Sequence, residues 1–201
     1  PAAFNLDVDF DGVKDLIVAP NAKNISENEK SVYFYKNTGS NQVSNFVFET
    51  KEFLQGDMLD HGTGSIPVLA DVDGDSLKDL MVANIFAYKP VLNKESRIAY
   101  YKNTGTSSSP KFTLIDRDFQ NLSALEVGIR IYPAFGDLNG DLKNDMILGL
   151  EDGTLSYFIN NSSGNIPSYA PPIFNLEDVN GTIIQNGLYA APQLFDLNKD
   201  G

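Results

Sequence analysis

Three short stretches carry carboxylates at a spacing suited to gripping a hard cation. Asp7, Asp9, Asp11 and Asp15 occupy positions 1, 3, 5 and 9 of the first stretch; Asp71, Asp73, Asp75 and Asp79 do so in the second, and Asp137, Asn139, Asp141 and Asp145 in the third. Ca2+ takes six to eight oxygen ligands at about 2.3 to 2.6 Å, and a tight loop can supply them from alternate positions. The main-chain carbonyls of Val13, Leu77 and Lys143 fall at position 7 and would complete each set. A fourth stretch keeps only Asp196, Asn198 and Asp200. Gly12, Gly74 and Gly140 allow the backbone to wrap.

Asp, Asn and Gly are also ordinary turn formers, so one such loop would mean little. Three in register mean more, because carboxylates packed this closely repel unless a cation intervenes. The four stretches hold 13 of the chain's 27 acidic residues, and three bound Ca2+ would bring the formal charge from -12 to about -6. The expectation is about one structural Ca2+ per loop. An EF-hand is excluded: it needs a bidentate Glu at position 12 and a following helix, whereas that position holds Val18, Val82 or Leu148 and a strand pattern follows.

The loops recur at starts 64, 66 and 59 residues apart, and a second element keeps the same phase: Phe34-Tyr-Lys-Asn-Thr-Gly39, Tyr100-Tyr-Lys-Asn-Thr-Gly105 and the looser Tyr157-Phe-Ile-Asn-Asn161. Two motifs in one phase make a repeat. Each period reads as strand, acidic loop, strand, variable loop, strand, Asn-Thr-Gly turn, strand. In the second period the strands fall near Ile66 to Ala70, Leu80 to Asn84, Ile98 to Lys102 and Lys111 to Ile115. The runs Leu16 to Ala19, Leu80 to Ala83 and Met146 to Gly149 suit central strands buried on both faces, whereas Val32/Phe34, Ile98/Tyr100 and Leu155/Tyr157 alternate like half-buried ones. No 3.6-residue apolar pattern stands out.

Four-stranded units of this kind stack radially as β-propeller blades. The fold expected is all-β: about three blades and the start of a fourth, over residues 1–66, 67–132, 133–191 and 192–201. A β-sandwich or an open solenoid is the rival architecture. A closed propeller needs at least four blades, so the rest would lie outside a chain whose two ends read as cuts.

Composition bounds the function. At 42% hydrophobic and 21% charged, the 201 residues suffice for a core. A net charge of -12 without a Lys/Arg run argues against nucleic acid. There is no Cys and one histidine, His61, which leaves no thiolate or poly-His metal site. No apolar run is long enough for membrane insertion by a helix.

The acidic repeats, with Pro67, Pro133 and Pro192 four residues ahead of the first Asp, resemble the FG-GAP/VCBS-type repeats of integrin-α-like propellers. The Tyr-Lys-Asn-Thr-Gly element and the Gly-Thr-Gly-Ser-Ile-Pro67 approach look most like secreted surface proteins of Bacteroidetes-type bacteria, often exported by a type IX system. The resemblance implies structural Ca2+, about seven blades, and a location outside the cell or at its surface. Phe10, where the family commonly has Gly, departs from the pattern.

The long connection carrying Phe86, Tyr88, Lys89 and Arg97 is a candidate surface for a glycan or surface-protein ligand, since loops on rigid scaffolds often bind; an ordinary variable loop is the simpler reading. Tyr33, Tyr35 and Tyr101 could line a sugar site but read better as core. Asp57, Asp60 and His61 lack a nucleophile or phosphate loop beside them, so no catalytic or cofactor residue is assigned. The leading expectation is a non-enzymatic, calcium-stabilised propeller segment used in adhesion, carbohydrate binding or protein contact. The alternatives are a polysaccharide-degrading enzyme such as a lyase, and an inert spacer or secretion cargo body.

Overall fold

A computed structural model describes residues 2–19, 30–54, 56–86, 95–163 and 165–195. Among the described residues eleven strands form three antiparallel sheets, each a meander in chain order. The first sheet contains β1 (Ala2–Leu6), β2 (Asp15–Ala19), β3 (Tyr33–Asn37) and β4 (Phe46–Thr50). The second contains β5 (Ile66–Ala70), β6 (Asp79–Ala83), β7 (Ile98–Asn103) and β8 (Phe112–Asp116). The third has three strands, β9 (Tyr132–Gly136), β10 (Asp145–Gly149) and β11 (Leu155–Phe158). The four strands placed from sequence in the second period agree within one residue at every end.

The chain divides into two compact units, Pro1–Asp60 and His61–Gly201. The first unit is one sheet. Its β2 buries Asp15 and Ile17, while β1 is exposed along its length.

The second unit joins the other two sheets through one core. Met81, Ala83, Ile98 and Tyr100 pack with Phe119, Leu122 and Ile131, and with Met146, Leu148 and Phe158 of the third sheet. A 3-10 stretch, Phe119–Leu125, carries the chain across and inserts Phe119 and Leu122 into that core. Strands β6 and β10 are buried on nearly every residue, as their continuous apolar runs predict. Strand β7 departs from the half-buried expectation. Ile98 and Tyr100 enter the main core while Ala99 and Tyr101 pack with Val82 in a second cluster, so both faces are covered.

The third period also departs from expectation. Among the described residues no fourth strand follows β11; isolated bridges join Tyr157 to Ile173 and Asn160 to Tyr169 instead. Pro167, Pro171 and Pro172 fall in this stretch, and each removes a ladder donor. The tight hairpin at Glu151-Asp-Gly153 forms as expected, with the Leu150 amide donating to the Thr154 carbonyl at 3.0 Å and the Gly153 amide to the Leu150 carbonyl at 3.1 Å.

Candidate metal centres

Each acidic loop joins the first and second strands of its sheet, and its carboxylates fold it. Asp71 accepts the Gly74 and Ser76 amides, both at 2.8 Å. Asp73 accepts the Asp75 amide at 3.2 Å, and Asp75 the Leu77 amide at 2.9 Å. The third loop repeats this scheme: Asp137 accepts Gly140 and Leu142, Asn139 accepts Asp141, and Asp141 accepts Lys143. In the first, Asp7 accepts Gly12, Asp9 accepts Asp11, and Asp11 accepts Val13. At Asp9, Asp11, Asp73, Asp75 and Asp141 the backbone takes Oδ1 and leaves Oδ2 for something else, whereas Asn139 has only Oδ1, which the Asp141 amide uses.

The ninth-position aspartate opens the second strand and is fully buried in all three sheets, with Asp15, Asp79 and Asp145 each 0% exposed. A buried carboxylate needs partners. One comes from the Asn of the other repeated motif: the amides of Asn37, Asn103 and Asn160 donate to Asp15, Asp79 and Asp145, each at 2.8 Å. The same Asn side chains donate to the carbonyls of Lys14, Lys78 and Asn144, one residue before that aspartate. The Asn-Thr-Gly element is therefore a clamp on the acidic loop as well as a turn. The shared phase of the two motifs is plain in the sequence; this cause is not. The glycine follows from crowding, since a Cβ on Gly39 or Gly105 would lie 2.3 Å from a backbone oxygen.

Oxygens from Asp7, Asp9 and Asp15 lie within 4.8 Å of one another, and so do those from Asp71, Asp73 and Asp79. Ligands on opposite sides of a Ca2+-sized ion are about 5 Å apart, so each trio can touch a single cation. In the first loop Asp7 Oδ1 is buried without a hydrogen-bond partner, an orphan that a cation would satisfy. The residues brought together fit a hard divalent ion held by positions 1, 3 and 9, while Asp11 and Asp75 at position 5 stand outside these trios. In the third loop Asn139 replaces one carboxylate within the same hydrogen-bond frame. Asp196, Asn198 and Asp200 lie outside the described residues.

Electrostatics differ between positions. The Lys36 ammonium holds Asp9 below the ordinary carboxylate range. Burial pushes Asp75 up, but the Lys102 ammonium and the Leu77 amide outweigh it and the net shift is downward. Burial also opposes ionisation of Asp137, yet four backbone amides leave it lowered. Asp79 goes the other way: burial above all, with the Asp73 charge adding, pushes it up to about 6 against the Asn103 amide. Burial, then the neighbouring carboxylates, raise Tyr100 and Tyr157. The Tyr157 hydroxyl donates to Asp145 at 2.7 Å.

These loops and clamps occupy the chain from Asp7 onward, and a family model coincides with their first two copies. Residues 7–82 match the FG-GAP-like repeat. The match supports the FG-GAP repeat family; it begins at the first ligand of the first loop and ends inside β6, spanning both three-carboxylate clusters. No curated protein and no solved structure matches the chain.

The other sequence candidates are dispersed. Tyr101 belongs to the second core cluster, and its hydroxyl lies 2.5 Å from His61 Nε2. His61 is thus half-buried against a ring rather than free in solvent, and its carbonyl accepts from Asn84. Tyr33 and Tyr35 both pack edge-on against Phe48. Phe86 forms a bridge with Thr63, and the Arg97 amide donates to Asn84 at 2.9 Å; Tyr88 and Lys89 lie outside the described residues.

Proposed function

We propose that this chain is a calcium-stabilised segment of a β-propeller in an exported bacterial surface protein, and that it serves adhesion, glycan binding or protein contact without catalysis. The observation that carries the calcium reading is the convergence of three carboxylates in each of two successive loops. Sheets built as four-strand meanders in chain order support the blade reading. Seven blades is the number the family resemblance suggests. An extracellular setting suits such sites, because Ca2+ is abundant there and modest affinity keeps them filled. Ca2+ acts structurally: it neutralises the loop carboxylates and fixes the connection between two strands. Ligand binding is assigned to the connections after the second strand, which vary most between repeats.

Calorimetric melting with Ca2+ and after chelation tests this reading. A ligand at 100 times its Kd adds about 2.7 kcal/mol per site, and about 2 to 4 °C accompanies each kcal/mol at this size, so the melting temperature should rise by at least about 5 °C. Asp11→Ala, Asp75→Ala and Asp141→Ala should each shrink that rise. An unchanged melting temperature would remove calcium from the account. Cleavage of an acidic polysaccharide by the protein would move it to the lyase class.

A further inference from the structure

The first two loops contain a cation of their own. Lys36 Nζ pairs with Asp9 and lies 3.5 Å from Asp11; Lys102 Nζ pairs with Asp73 and lies 2.9 Å from Asp75. In each case the ammonium takes Oδ2 of positions 3 and 5, the oxygens left over after the loop backbone has used Oδ1. Asp9 and Asp73 belong to the converging trios, and with Oδ1 engaged by the backbone, Oδ2 is the oxygen they have left for a metal ion. An ion bound to the same oxygens would sit a few ångströms from the ammonium, where like charges repel strongly in a partly buried setting. Asp73 is fully buried and Lys102 is only 26% exposed, so water screens little of this.

The third loop shows the converse. Superposing the repeats on the amide that reaches the ninth-position aspartate aligns Asn37, Asn103 and Asn160, and so places Ile159 where Lys36 and Lys102 stand. Among the described residues no Lys or Arg nitrogen pairs with Asp137, Asp141 or Asp145. That loop also has Asn139 at position 3 in place of Asp9 or Asp73. Lysine and the extra carboxylate occur together or not at all. Four aspartates and a lysine sum to -3, and so do three aspartates alone.

Resting on the calcium reading, we propose that Lys36 and Lys102 are tethered counter-ions that hold the first two loops closed without metal and are displaced when Ca2+ binds, whereas the third loop binds Ca2+ without such an exchange. A ligand's apparent affinity falls by the fraction of time its site is competent. A lysine that occupies its loop about nine-tenths of the time would therefore weaken Ca2+ binding about tenfold.

The test is calorimetric titration of the whole chain with CaCl2, comparing wild type with Lys36→Met, Lys102→Met and the double variant, with metal-free melting followed by circular dichroism. Each single substitution should tighten one of the three ions about tenfold and lower the metal-free melting temperature. Lys102→Met combined with Asp73→Asn, which copies the third loop, should recover metal-free stability. Ile159→Lys should weaken the third ion. If three Ca2+ bind but Lys102→Met leaves all affinities unchanged or weakens one, the lysine supports the loaded site and the exchange is wrong. If wild type binds no Ca2+, the calcium reading fails and the exchange falls with it. Should Lys102→Met not fold, Lys36→Met and Ile159→Lys decide the question by the same readouts.

Discussion

Two backbone positions in each acidic loop lie in the left-handed region, and each loop fills only one of them with glycine. At positions 4 and 6 stand Phe10 (φ 60°) and Gly12 (φ 88°), Gly74 (84°) and Ser76 (68°), and Gly140 (81°) and Leu142 (66°). From sequence the three glycines look interchangeable; they are not, since Gly12 stands at position 6 and Gly74 and Gly140 at position 4. A side chain in this region costs about 1 to 2 kcal/mol. Gly74→Ala and Gly140→Ala should each destabilise the protein by about that much through the backbone alone, since an added Cβ meets no atom within 4 Å; urea denaturation in Ca2+ measures it. A second residue-level prediction concerns pH. Asp79 binds its proton more tightly folded, at about 6, than at its ordinary 3.8. The metal-free protein therefore gains stability from that group below about pH 4 and loses it as pH climbs through about 6. Ca2+ competes for the same carboxylate, so the second loop should bind Ca2+ more weakly as pH falls below about 6. Titration at pH 7 and 5 checks this, and Asp79→Asn should abolish the pH-dependent part.

The strand, loop and clamp form the unit of construction. Asn103 is 3% exposed; its amide holds Asp79, its Nδ2 holds the Lys78 carbonyl, and its Oδ1 takes the Gly105 and Lys111 amides at 3.0 and 3.1 Å. Truncation removes three partly buried hydrogen bonds, at about 1 kcal/mol for each. Asn103→Ala should therefore cost at least about 2 kcal/mol and weaken Ca2+ binding by the second loop, which it does not line; chemical denaturation and titration read the two effects. The strands themselves were legible, because a run such as Leu80-Met-Val-Ala83 between an aspartate and an asparagine suits little else. Two things were not. The clamp depends on which amide faces the ninth aspartate, and only register reveals that. The missing fourth strand in the third repeat was signalled by Pro167, Pro171 and Pro172, but the period of the first two repeats outweighed that local signal.

At the scale of the second compact unit, the acidic loop of one sheet is tied to the acidic loop of the next and to the residues beside its clamp. Asn144 Nδ2 donates to the Asp71 carbonyl at 2.9 Å and Ser162 Oγ to the Val72 carbonyl at 3.0 Å, beside the core shared by both sheets. Metal at the second loop should thus stabilise the seam as well as the loop. Combining Asn144→Ala with Ser162→Ala should cost about 2 kcal/mol at about 1 kcal/mol per hydrogen bond and narrow the gap between the melting temperatures with and without Ca2+. Such links join residues more than 70 positions apart and leave no trace in a single sequence, whereas the 1-3-5-9 spacing of the ligands is plain from it. Everything rests on the acidic loops holding metal, and counting bound Ca2+ after equilibrium dialysis tests that most directly. Three ions per chain of residues 1–201 are expected, falling to two when Asp71→Ala is combined with Asp75→Ala; a chain that retains no Ca2+ at millimolar concentrations would mean that the loops are turns and not metal sites.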